Sequence, residues 1–118
     1  MKQINFSEVE AYNPPAHHGM VALKIQGEAE SGITKFWQGV SHFLPNGGAD
    51  MAYTEGTFGA AFDKTYFVIS GEVTVIDADG KEFNLKPFDS IAILPNEGRK
   101  MINKTNQMAT CLVTVSTS

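Results

Sequence analysis

The chain has 118 residues, room for one domain but not two, since domains usually run to about 100–200 residues. A hydrophobic fraction of 42% with 19% charged residues is an ordinary globular mix and excludes an intrinsically disordered chain. The balance of 13 acidic against 9 basic residues gives a formal charge of -4, which argues against a nucleic-acid partner, because tracking phosphates needs a basic face.

Period-two alternation dominates, and no long stretch reads as an amphipathic helix. Residues 1–19 end in Asn13-Pro14-Pro15-Ala16-His17-His18-Gly19 and read as an N-terminal arm with room for one edge strand. Residues 20–118 form the barrel domain. From Met20 to Gln26, Val21, Leu23 and Ile25 share one strand face. Phe36 to Leu44 alternates in the same way, with Trp37, Gly39, Ser41 and Phe43 on one side and His42 on the other. Residues 45–62 are rich in small side chains and read as a long loop, a length that in compact domains usually serves function. Tyr66–Ser70 and Val73–Asp77 are β-rich runs separated by Ser70-Gly71-Glu72. Asp77-Ala78-Asp79-Gly80 makes a tight reversal into Glu82–Leu85. Lys86-Pro87 breaks that strand, Ser90–Leu94 begins another, Lys100–Asn103 follows the turn at Pro95–Gly98, and Thr110–Val115 closes the chain. Eight or more short strands with frequent turns predict an all-β sandwich or barrel.

The lone Cys111 cannot form an internal disulfide or contribute to a four-cysteine zinc site, and among Leu112, Val113 and Val115 it reads as core packing. No apolar run approaches the roughly 18 residues of a membrane span, and the first residues lack a signal-peptide core. The expectation is a reduced, cytoplasmic protein with no membrane partner. Without secretion, the sequons at Asn5-Phe6-Ser7 and Asn103-Lys104-Thr105 carry no meaning.

Four segments, in order, carry a resemblance: Leu44–Gly48, Tyr66–Val75, Leu85–Ser90 and Ile93–Gly98. In their order and spacing the chain resembles a small single-domain cupin over Phe36 to Val115. The resemblance implies an all-β double-stranded β-helix, a jelly-roll barrel with a ligand site inside. It also implies where the family's metal ligands would fall. Anchoring the first motif on Gly71 puts Lys64 at the glutamate position, with Asp63 beside it. Tyr53-Thr54-Glu55 falls near the His-x-His. Counting from Pro95 puts Lys100, preceded by Arg99, at the last histidine, and Phe88 stands at a usual glycine. Transition metals need imidazoles or carboxylates, and a lysine ammonium repels a dication. The expectation is therefore no metal and no cofactor.

The resemblance, with these departures from its metal motifs, implies a metal-independent barrel that binds a polar, anionic metabolite, as an isomerase, epimerase or lyase. Glu55 or His42 would act as base, Lys100 as acid or electrostatic anchor, and Arg99 as a bidentate clamp for a carboxylate. Tyr53, Asp63 and Trp37 complete the ligand-binding set. Each has a plainer reading: solvated charge for Glu55, Asp63, Lys100 and Arg99, core filling for Trp37, and a strand histidine holding a carbonyl for His42. The His17-His18 pair reads as incidental, because neighbours on a strand face opposite ways. A non-catalytic sensing or accessory module, and a metal-dependent enzyme with atypical ligands, are the alternatives. Small cupins pair through an outer sheet and an N-terminal strand, so the arm implies a homodimer.

Overall fold

The computed structural model describes residues 1–118. Its elements in chain order are a 3-10 turn at Phe6–Glu8, β1 (Ala11–Tyr12), β2 (His17–Gln26), α1 (Glu28–Ser31), β3 (Phe36–Ala52), β4 (Lys64–Ser70), β5 (Val73–Asp77), β6 (Glu82–Leu85), β7 (Ser90–Ile93), β8 (Arg99–Ile102) and β9 (Ala109–Ser116). All strand pairs are antiparallel. The main path runs β6-β5-β8-β3-β9-β4-β7, with β2 added on β3 and β1 on β2. The sheet curls into a nearly closed jelly-roll barrel, as the turn-punctuated alternation predicts. No helix is long and apolar enough to cross a membrane.

The segment after Leu44 corrects the sequence reading. Instead of becoming a loop, β3 continues for 17 residues, pairing first with β2 and β9 and then with β8. Small residues are what permit this. A Cβ on Gly47 would lie 1.9 Å from the Gly19 carbonyl oxygen, and one on Gly48 would lie 2.0 Å from that of Met101. Only bare backbones pass one another so closely. The same small side chains that mimic a loop in composition here allow strands to cross. The loop proper starts at Tyr53, and β2 starts at His17, so the end of the arm already runs in the sheet.

Alternation sends Phe43, Tyr66, Val68, Val73, Val75, Met101, Cys111, Val113 and Val115 inward as one buried cluster. Burial pushes the Cys111 thiol up to about 12, so it packs as a small apolar group and is inert at neutral pH. Phe88, where the resemblance implies a glycine, adopts φ +71° and rests against Phe67 with ring centroids 5.9 Å apart. The left-handed turn is thus retained at a side chain that dislikes it.

Asn103 braces the closed end. Fully buried, it donates through Nδ2 to the carbonyls of Phe43 at 2.9 Å and Gln107 at 2.7 Å. Its Oδ1 accepts from the Thr105 backbone at 2.9 Å and the Thr105 hydroxyl at 2.7 Å. Removing it strands the buried Phe43 carbonyl, at a cost of about 1–3 kcal/mol, and the half-buried bonds to Gln107 and Thr105 are lost with it. Asn103→Ala should therefore lose on the order of 2 kcal/mol or more. Urea unfolding should show a lower midpoint with an unchanged slope.

Candidate functional site

A cavity of about 500 Å³ opens between the arm, the first half of β3 and the loop after Ala52. That volume lies within the ~300–1,000 Å³ usual for small-molecule sites. Its walls are aromatic: Tyr12, Trp37, Tyr53, Phe58 and Tyr66 all line it. Trp37 is admitted by Gly39, because a Cβ there would stand 3.3 Å from the indole ring. Lys24 Nζ sits over the other part of this wall, 5.3 Å from the Trp37 ring centroid.

Arg99 forms the polar floor. The first residue of β8, it is only 2% exposed, yet no carboxylate pairs with it. The chain's single ion pair, Lys104–Glu82, is elsewhere on the surface. Arg99 Nε donates to Tyr66 Oη at 2.9 Å, and one of its terminal nitrogens donates to the Asp50 carbonyl oxygen at 2.9 Å. Its guanidinium carbon lies 4.7 Å from the Tyr53 ring centroid. Lys64, 1% exposed, approaches the same ring at 4.4 Å and donates to the Phe62 carbonyl. One tyrosine ring thus sits over two buried cations, a geometry that ring quadrupoles favour. Burial lowers the Lys64 pKa, and the charge of Arg99 lowers it further, while Asp63 opposes both. Burial raises the Tyr66 and Tyr12 hydroxyls, so both remain neutral donors over the physiological range. Tyr53 holds its place with φ +72°, outside the usual region for a side chain.

Of the residues singled out from the sequence, Arg99, Tyr53 and Trp37 line this cavity. Glu55 and Asp63 are exposed and outside the lining. His42 is also outside it: Nδ1 meets the Thr110 hydroxyl at 2.9 Å and Phe6 packs edge-on against the ring. Lys100 points to solvent, and the reason is a register difference. The turn reads Pro95-Asn96-Glu97-Gly98, one residue longer than Pro-x-Gly, so alternation along β8 turns Arg99 and Met101 inward and Lys100 outward.

His17, Tyr12 and Asp50 line the cavity without having been singled out for it. His17 was hidden by a bulge. The register shift between His18 and Met20 breaks strict alternation, so that His17 and Met20 both reach the cavity. The usual metal of the resembled family does not fit these residues. No three His, Cys, Asp or Glu side chains are grouped to hold an ion, and the cavity's His17 and Asp50 share it with a guanidinium.

A buried cation without a counter-charge carries a desolvation cost that an apolar side chain of similar length does not. Lys64→Met should therefore raise the urea midpoint of the free protein. The lowered Lys64 pKa means that the unfolded chain binds this proton more tightly, so wild-type stability gains as pH rises toward 10.5. The advantage of the variant should shrink over that alkaline window, and a gap constant with pH would rule the explanation out.

Comparison with known proteins agrees with this architecture. A cupin domain model matches residues 61–115. Over 116 residues the chain is 34% identical to beta-D-galactosidase Rv1717 of Mycobacterium tuberculosis, covering 98% of this chain and 94% of that protein. Among solved structures, the polyketide cyclase RemF of Streptomyces resistomycificus superposes with a TM-score of 0.83 at 17% identity, covering 100% of this chain and 80% of its own. A cupin-superfamily sugar phosphate isomerase from Silicibacter pomeroyi gives 0.77 at 19% identity, covering 99% and 76%. At those identities the two structures attest the fold alone. With a full-length relative, a matching domain model and the barrel itself in agreement, the chain belongs to the cupin family.

Proposed function

We propose that the cavity binds an anionic, hydroxylated metabolite of the carbohydrate class without a metal, seating its acidic group on Arg99. The observation that carries this reading is a buried guanidinium, backed by a buried lysine, with no carboxylate partner. Buried charge is costly unless compensated, and a bound anion supplies the compensation. Tyr66 fixes the guanidinium through Nε, and Trp37 and Tyr53 line the same cavity. The galactosidase named among the relatives and the sugar phosphate isomerase among the structural neighbours both act, by name, on sugars. The chemistry we assign is proton transfer, as in an isomerase, epimerase or lyase.

A second reading, β-galactoside hydrolysis, is favoured by the 34% identity to the mycobacterial protein. Glycosidases ordinarily use two carboxylates flanking the bond. Asp50 is the single carboxylate residue lining the cavity, which weighs against hydrolysis by that route. Turnover of a chromogenic β-D-galactoside that disappears in Asp50→Asn would move the conclusion to this reading.

The binding proposal is checked by thermal shift in EDTA with D-galacturonate, D-galactose 6-phosphate and neutral D-galactose. The acids should raise Tm and the neutral sugar should do so far less. Arg99→Lys should weaken the response about tenfold, because a charge-assisted bond is worth about 1.5–3 kcal/mol and tenfold is about 1.4. Equal shifts from all three sugars, or none from either acid, would overturn the anionic-ligand reading. We further propose a homodimer formed through the outer face of β2 and β3, where Val21 and Leu44 are exposed. Light scattering should give twice the chain mass, and monomeric elution defeats this.

A further inference from the structure

His17 has a polar geometry that ligand binding by Arg99 leaves unused. Its Nδ1 lies 2.7 Å from the Pro15 carbonyl oxygen. A carbonyl only accepts, so Nδ1 carries the hydrogen and the neutral ring keeps its lone pair on Nε2. Nε2 is then the ring nitrogen left for a ligand in the cavity that His17 lines. The chain holds this arrangement at a cost. Ala16 adopts φ +57°, a left-handed conformation disfavoured for alanine, while its carbonyl accepts the Asp50 backbone N–H at 2.9 Å. Strain of this kind, pinned by a cross-strand bond beside a cavity, is typical of functional positions. The groups acting on the imidazole come from three strands: His18 on β2, Asp50 on β3 and Arg99 on β8, with Tyr12 and Tyr53 lining the same space. Burial lowers the His17 pKa below 6.5, the Pro15 bond opposes this, and Arg99 and His18 lower it against Asp50, leaving a neutral ring at pH 7.

We propose that His17 is the proton acceptor of the cavity, taking a hydroxyl proton from a bound sugar on Nε2 and returning it to another atom of the same molecule. This rests on the carbohydrate reading of the cavity. In the forward step the ligand O–H bond breaks, an N–H bond forms on Nε2, and the electron pair stays on oxygen. The imidazolium keeps its Nδ1–H bond to Pro15. With the anomeric hydroxyl as the donor, that electron pair forms the C1=O bond as the C1–ring-oxygen bond breaks. The proton returns from Nε2 to the ring oxygen, so the cycle balances as an isomerisation to the open-chain aldehyde without a co-reactant.

The test begins with nitrogen-15 NMR of the free wild-type protein between pH 5 and 8, with imidazole signals assigned by His18→Gln and His42→Gln. His17 should be the Nδ1–H tautomer and titrate below 6.5. D-galacturonate should shift the His17 Nε2 signal and leave His42 unmoved. Anomer interconversion of D-galacturonate should accelerate at least tenfold over buffer with wild type and with His18→Gln. His17→Gln should lose the acceleration while keeping its galacturonate thermal shift. An Nε2–H tautomer overturns the proposal even if no sugar binds. So does binding that leaves His17 unshifted, or an acceleration that survives His17→Gln. Failure of all the sugars to bind, with the Nδ1–H tautomer present, counts against the carbohydrate reading and supports the geometry assigned to His17.

Discussion

A guanidinium held out of water without a counter-ion is the constraint on which the site depends. Arg99 sits at the start of β8, where its Nε meets a neutral phenol, its terminal nitrogen meets a main-chain carbonyl, and its face meets the Tyr53 ring. None of those partners carries a full negative charge. The arrangement satisfies hydrogen-bonding geometry while leaving the electrostatics open, which a core built for stability alone would avoid. Lys64 adds a second positive charge behind the same ring. The acidity of the chain as a whole, -4, is thus a surface average that conceals a cationic interior.

The barrel and the cavity draw on different parts of the chain. Every member of the fully buried cluster lies at or beyond Phe43. The cavity, by contrast, takes Tyr12, Asn13, Pro14, Pro15, Ala16 and His17 from the arm. Two of the contacts that unite the halves are the passage of Gly19 over Gly47 and the bond from the Asp50 amide to Ala16. Both depend on β3 continuing past Leu44, which also brings Asp50 and Ala52 alongside Arg99.

Much of the fold was legible in the sequence. Val73–Asp77 and Glu82–Leu85 coincide with β5 and β6, because a tight Asp-Gly reversal fixes both ends of the hairpin. The second half of β3 was not legible, since glycines that permit backbone crossing look the same in composition as glycines of a loop. The site was legible in part. Arg99 and Tyr53 follow from their place in the motifs, but Lys100 does not reach the cavity, because one extra turn residue inverts the facing of a whole strand. His17 was illegible for the related reason that a bulge resets alternation within an apparently ordinary strand. Charged positions such as Glu55 show how weakly sequence proximity to a motif constrains direction on an irregular segment.

The separation of core from arm bears on how such a protein diverges. Substitutions in residues 12–17 alter the cavity wall while leaving the buried cluster intact. Selectivity is therefore free to drift under selection for new ligands at little risk to folding, with the Gly19–Gly47 crossing as the fixed hinge point of the graft.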